Sequence, residues 1–529
     1  MKTLRCLVAV AALFFNLLAL AHVGSPNVVV EGLAGPYSVR VFVRPPTVVP
    51  GVAEITVRVL EGQVQSVTVL PVYWQTGRAG APSPDAAKSV PGETNLFTGG
   101  LWLMKSGTYS IDVTASGSQG TGTLVVPVNS IATNTKPMPR AFTLMLAALG
   151  FLLVAGMVTI VGSVFGESLS EPGPISQRVR RNSRIAMGVA VAILALGLYG
   201  GRLWWDLEEK EYRQRRLYRP TLLVASVASK NEWPYLRLKI DGKAGRSLAG
   251  PLLPDHGKIM HLFAIRKDGQ DAFAHLHPVS GGDKSYGSPV PPLPAGIYEL
   301  YADVTYENGF AETWTTTTEF PAAPRSVATP SPRASGDAFC AVPVTVGGQV
   351  IPFDHDDSWH TGAPLSDGAS EAAFALPGGL KMVWLNKRAL LLDEESLLQF
   401  QLVGPDGKPA SIGDYMGMAG HAALRLSDGS VFAHLHPGGT ISMASQAYFI
   451  NRDNPKSAGS GTNAVLPVAY TDHVSHTNTL ERAQVVSFPY AFPKTGAYRI
   501  WVQMKSGEQV YTGVFDAVVE AKTARTPAS

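Results

Sequence analysis

The chain has 529 residues, enough for three or four domains, and its formal net charge of +3 includes no basic block of the kind that binds nucleic acid. Charged residues make up only 16% and hydrophobic ones 45%, a balance that suits β-rich domains combined with membrane spans. Of two cysteines, Cys6 falls in a leader segment, so the mature chain keeps Cys340 alone and forms no internal disulfide.

Residues 1–21 read as a secretory signal peptide. Lys2 and Arg5 precede an apolar run from Leu7, and Ala19-Leu20-Ala21 is a small-residue cleavage site. Cleavage there makes His22 the mature N-terminus. Such a residue can bind copper through its amine and ring, but residues 23–255 supply no second histidine. The region 22–130 alternates β-branched and polar residues over Ser38–Val43, Glu54–Leu60, Gln65–Val72, Thr108–Ala115 and Gly122–Val126, which predicts a β-sandwich.

Two long apolar stretches follow, at 141–165 and 185–205. The first carries no charge and is long enough as a helix to span a bilayer. The second ends in Arg202, Trp204 and Trp205, residue types that suit a membrane interface. The loop between them, 166–184, holds Arg178, Arg180, Arg181 and Arg184 and is therefore expected to be cytoplasmic. Both flanking regions are then periplasmic, in a multi-pass protein of a bacterial inner membrane. A charged stretch from Asp206 to Arg219 continues the second helix out of the bilayer. A second β-domain is expected at 220–320, a Pro-, Ala- and Ser-rich linker at 321–337, and a third β-domain with insertions at 338–520.

Gly107-Thr108-Tyr109, Gly296-Ile297-Tyr298 and Gly496-Ala497-Tyr498 each begin a late strand of one domain. The placement resembles the tyrosine corner of immunoglobulin-like sandwiches, whose phenol hydrogen-bonds to nearby backbone. The fold class expected is mainly β: immunoglobulin-like β-sandwich domains, with two transmembrane α-helices between the first and second.

The string FAHLHP occurs twice, at Phe273–Pro278 and Phe432–Pro437. A further histidine precedes each copy, His261 in one and His421 in the other, with Asp268-Gly269 or Asp428-Gly429 between as a hairpin signal. Counting outward from the turns sets His261 opposite His277 and His421 opposite His436. Residues two apart share a face of a strand, so His275 and His434 join them. Each hairpin therefore gathers three imidazoles, His261, His275 and His277 or His421, His434 and His436. The opposite face of the second hairpin is apolar, which points its histidines away from the sandwich interior.

Imidazole is the commonest transition-metal ligand, and three on one hairpin suit Cu(II) or Zn(II). Met416, Met418 and Met443 flank the second set and add thioethers that suit Cu(I). Weaker metal candidates are the run Asp354-His355-Asp356-Asp357 with His360, and His473 with His476.

The segments 260–278 and 415–443, with the closing stretch 488–507, resemble the YtkA-like family of extracytoplasmic β-sandwiches, related to FixH-type proteins. That resemblance implies a metal-linked binding role and supports the six histidines as positions to test. It settles no reaction. The expected function is copper delivery, buffering or sensing at two tandem sites, with zinc the alternative ion. The expected partners are the lipid bilayer and a periplasmic or membrane cuproprotein. A metal-free adhesion or assembly module and a three-histidine metalloenzyme stay open as alternatives. The enzyme lacks an evident base beyond Asp255 or Asp414. No serine-hydrolase elbow, phosphate loop, paired-cysteine motif or haem-attachment site occurs.

Overall fold

The structure is a computed structural model that describes residues 27–167, 174–230, 233–241, 250–282, 284–322, 339–340, 344–346, 349–351, 353–366, 368–453 and 484–522. The signal segment, His22, His473, His476 and most of the expected linker lie outside these residues. The protein is mainly β, with two compact units: residues 131–218, and the remainder of the chain.

The smaller unit is a helical pair. Helix α1 (Arg140–Glu167) and helix α2 (Gln177–Glu211) are both long and apolar enough to cross a membrane. Ser176 caps α2, its hydroxyl accepting from Val179 N at 3.3 Å. Gly162 lets α2 approach, and its carbonyl accepts from the Ser183 hydroxyl at 2.7 Å. The helix continues past Trp205 to Glu211 and then as a π-helical turn over Tyr212–Arg216, so it covers most of the charged segment.

In the larger unit, eight strands between Val28 and Ser130 form one antiparallel sheet folded over its own core. Gly51–Glu61 shows why: its alternate residues Ala53, Ile55, Val57 and Val59 are buried while their neighbours face out. All five strands expected here are present. The additional ones, Val28–Ala34, Asp85–Ser89 and Leu96–Leu103, carry weaker alternation.

The middle region has a four-stranded sheet (Leu223–Lys230, Trp233–Ile240, Val279–Gly282, Ser285–Pro289) and a larger one built on Gly296–Tyr306. The first FAHLHP hairpin, His261–Arg266 with Ala272–Leu276, belongs to the larger sheet. Ser358–Thr361 lies beyond the expected linker, yet it pairs with Ala272–His275 and extends this sheet.

In the last region a four-stranded sheet (Ala373–Ala375, Lys381–Trp384, Glu395–Val403, Val485–Ala491) faces a five-stranded one. The latter holds the second hairpin, His421–Leu426 with Phe432–Leu435. Phe400, Trp384 and Phe488 from one sheet meet Leu424, Leu435, Ile500 and Phe515 from the other, which makes this a sandwich with its own core.

The three tyrosines behave alike. Tyr298 and Tyr498 donate to the carbonyls of Pro294 (2.7 Å) and Lys494 (2.9 Å), and Tyr109 accepts from Lys105 N (3.1 Å). Each phenol reaches the backbone four residues upstream.

The two hairpin-bearing sheets pack face to face. Phe263, Ile265, Phe273 and Tyr301 of one meet Ala423, Phe432 and Trp501 of the other in a separate core. Tyr301 stacks on Phe432 at 4.2 Å and Phe273 on Trp501 at 4.9 Å between ring centroids. Arg425 closes one edge of this interface, its Nε donating to Glu299 at 2.8 Å and to the Tyr301 hydroxyl at 3.1 Å.

Candidate metal centre

The strand register follows the turn arithmetic. Phe263 pairs with His275, and Ala423 with His434. Around Asp428-Gly429 the ladder closes at Leu426–Val431, giving a four-residue loop instead of two. Asp428 does not adopt positive φ; its carboxylate accepts from Ser430 N at 2.8 Å, while Gly429 takes φ +75°. The parity is unchanged, so the histidines stay on one face.

That face points away from the core of its own sandwich, as expected, but it is not solvent-exposed. Sheet docking brings both sets into one buried cage. The ring of His434 lies 5.4 Å from that of His261 and 5.7 Å from that of His275, while His421 lies 6.0 Å from His275. His275 and His421 are fully buried, and the His434 side chain is 5% exposed.

A seventh imidazole completes the cage. His256 sits at φ +51° in a tight turn with Gly257, five residues before His261. Its ring is 5.1 Å from His436, 5.6 Å from His421 and 6.0 Å from His261. The second repeat has the same turn at the same offset, Met416-Gly417, with Met416 at φ +54°. That shared spacing was the sequence signal for His256.

Hydrogen bonds fix the tautomers, because a carbonyl only accepts. His261 Nε2–H donates to the Asp255 carbonyl at 3.1 Å, which leaves Nδ1 a lone pair. His436 Nδ1–H donates to the Ile441 carbonyl at 3.0 Å. His277 Nδ1–H donates to Asp357 at 3.0 Å, and that carboxylate also accepts from the His277 backbone N at 2.8 Å. His434 Nδ1 lies 3.2 Å from Asp303 Oδ2.

His275 is set by a relay. The Tyr415 hydroxyl donates to the Asp356 carbonyl at 2.9 Å and can accept from Ser358 Oγ at 3.5 Å. Ser358 Oγ in turn accepts from Gln503 Nε2. Gln503 therefore turns Oε1 toward His275, whose Nδ1–H donates to it at 2.9 Å. The consequence is a pair of lone pairs, His261 Nδ1 and His275 Nε2, facing each other at 3.1 Å.

Further ring nitrogens converge here. Nε2 of His256, His277, His434 and His436, and both nitrogens of His421, are buried and make no hydrogen bond among the described residues, although His256 Nε2 faces Asp255 Oδ1 at 3.5 Å. Leaving such groups unpaired costs about 1–3 kcal/mol each. Burial first, and then neighbouring imidazoles, holds His275, His421 and His434 well below the ordinary histidine range. Burial pushes His261, His277 and His436 down to about 3. The imidazoles are thus neutral ligands at neutral pH. Burial also raises Asp303 and Asp357 to about 7.

The other sequence candidates are placed differently. Asp354 and Asp356 are neutralised by the Lys258 ammonium at 2.5 and 2.9 Å, and His355 is exposed. His360 is buried beside Phe374 and pairs in register with Phe273. Met416 packs with Tyr415 and Val510, Met418 is buried, and Met443 begins helix α3 (Met443–Asp453). Asp414 is exposed. Asp255 is buried and accepts from Ala444 N at 3.1 Å.

The first sandwich closes the cage. The segment after His436 forms a bridge to its first strand: Glu31 N donates to the Gly438 carbonyl and Thr440 N to the Val29 carbonyl, both at 2.9 Å. Ile441 enters the core of that sandwich.

Comparison with known proteins adds one family and no close relative. Residues 378–521 match the family described as Domain of unknown function (DUF8832). No curated protein sequence is similar to the chain. Among solved structures, an engineered protein is 21% identical over 17% of this chain and 19% of its own, with a TM-score of 0.14. A putative membrane anchored protein from Corynebacterium diphtheriae is 9% identical, covering 95% of this chain and 97% of its own, with a TM-score of 0.14.

Proposed function

We propose that the chain is a membrane-anchored extracytoplasmic protein that binds a transition metal in the histidine cage, with copper the expected ion and zinc the alternative. The observation that carries this reading is the convergence of seven imidazoles, with His261 Nδ1 and His275 Nε2 only 3.1 Å apart while the other nitrogen of each ring is held by the Asp255 carbonyl and Gln503. Metal–imidazole bonds of about 2.0–2.1 Å subtend an angle of about 100° over the separation, within the range metals accept. Asp357 and Asp303, behind His277 and His434, supply the outer carboxylates that orient ligating imidazoles.

The corner tyrosines and paired sheets support an immunoglobulin-like reading of the sandwiches, in line with the resemblance to YtkA-like domains. The arginines in the first two turns of α2, Arg178, Arg180, Arg181 and Arg184, support a cytoplasmic connection between the helices, with the sandwiches in the periplasm of a bacterial inner membrane. Enclosure of the imidazoles favours delivery, buffering or sensing over turnover of a bulky substrate, and a periplasmic or membrane cuproprotein is the fitting recipient. A metal-free adhesion module would leave the convergent nitrogens without a purpose.

The test is elemental analysis of the full-length protein purified in detergent and loaded separately with Cu(II) and Zn(II). Tight binding that is lost when His275→Ala is combined with His421→Ala supports the reading. A wild-type protein that retains no metal after desalting overturns it.

A further inference from the structure

The seven imidazoles divide into two coordinating sets, and the division does not follow the repeats. His261, His275 and His277 place one nitrogen each within 4.8 Å of one another, and so do His256, His421 and His436. The first set comes from one sandwich alone. The second is shared: His256 belongs to the middle sandwich, and His421 and His436 to the last. Ligands of a single ion stand about 3.3–4.2 Å apart, so loading needs only small adjustments, which include a slight opening of the 3.1 Å His261–His275 pair.

The tautomers of both sets suit coordination. In the first, His261 Nδ1, His275 Nε2 and His277 Nε2 are lone pairs by the hydrogen bonds already given. In the second, His436 Nε2 has no hydrogen bond among the described residues, His421 has none at either nitrogen, and His256 Nε2 faces the Asp255 carboxylate at 3.5 Å. His434 stands between the sets, 5.4 Å from both His261 and His421.

We propose that the cage holds two transition-metal ions in one chamber, the first on His261, His275 and His277 and the second on His256, His421 and His436, and that the second ion staples the two sandwiches together. This rests on the metal-binding reading above. The sets share no protein ligand, so each can fill without the other. Rings of one set lie only 6.0–6.4 Å from rings of the other, so the ions are close enough for their spins to interact.

The experiment loads the full-length protein in detergent with Cu(II) alone and measures copper per chain together with the electron paramagnetic resonance spectrum. Two coppers per chain are expected, with a spectrum broadened by spin–spin interaction and carrying a half-field line. His256→Asn keeps a residue type that tolerates the left-handed backbone at this position. It should bind one copper with an isolated, full-intensity spectrum. His277→Gln should do the same from the other set, and the double variant should bind none. Both ions stabilise the native state by mass action, but only the second-set ion also opposes separation of the two sandwiches, so at equal affinity His256→Asn loses more metal-dependent stabilisation than His277→Gln.

One copper per wild-type chain, two coppers remaining in His256→Asn, or two magnetically isolated coppers overturns the proposal while leaving metal binding intact. No copper in the wild type removes the metal reading itself. Should His256→Asn not fold, His436→Gln tests the same set.

Discussion

The rings of His261 and His434 lie 5.4 Å apart, although they come from different repeats on different sandwiches. Neither hairpin alone makes the cage; the docked sheets do. A side chain that holds the middle sandwich's ligands from the last one should therefore be as important as a ligand.

Gln503 is that side chain. It reaches His275 from the last sandwich and fixes the tautomer that leaves Nε2 free. Gln503→Met keeps the volume and deletes the acceptor. Loss of such an outer partner typically costs 10–100-fold in metal affinity, and the unpaired His275 N–H costs about 1–3 kcal/mol of stability. Competition titration against a copper chelator measures the first effect and thermal unfolding the second. A lowered melting temperature with unchanged affinity would reduce Gln503 to a packing residue.

The hairpin register was legible because it depends on parity alone: once the turn was located, every imidazole was assigned to a face. Docking was not legible, because it depends on what covers that face. A clue was present in Phe263, Ile265, Phe273 and Phe432, which share faces with the histidines. An apolar face of that size calls for a cover. His256 escaped because it lies in a loop before the strand, where strand periodicity says nothing. Asp357 was named only within an acidic run, and its place behind His277 was not legible, because its segment returns to the first hairpin from beyond the linker, a long-range pairing that no local pattern encodes.

The proposed orientation in the membrane rests on the arginines at the start of α2 and can be tested directly. A green fluorescent protein fused after residue 170 should fluoresce, and one fused after residue 219 should stay dark because it is exported unfolded. The reverse pattern would place the sandwiches in the cytoplasm.

His360 gives the clearest pH prediction, since it lies outside the cage. Burial, with Arg499 adding repulsion, lowers it to about 4 from an ordinary 6.5. Its folded-state value is below its unfolded value, so the unfolded chain binds the extra proton. Stability from this group is complete above 6.5 and is lost as pH falls toward 4, at about 1.4 kcal/mol per unit. The total is roughly 3 kcal/mol. His360→Leu should therefore change the melting temperature of the metal-free protein less at pH 7 than at pH 4.5, where the variant gains relative to wild type. An equal difference at both pH values would mean that the imidazole is solvated.

Gly439 controls access to the cage. A Cβ there would lie 1.9 Å from the Val29 carbonyl oxygen, and the residue holds φ +126°, which side-chain-bearing residues rarely adopt. Gly439→Ala must displace either the first sandwich or the segment after His436. That segment supplies the Ile441 carbonyl that fixes His436 and the Ile441 side chain that enters the neighbouring core. The expected result is a loss of about 2–3 kcal/mol, in the range of strained backbone positions. Metal release into excess chelator should also become at least tenfold faster. If release is unchanged while stability falls, the first sandwich braces the fold without gating the cage. If both are unchanged, the bridge between Val30 and Gly439 is not formed in solution.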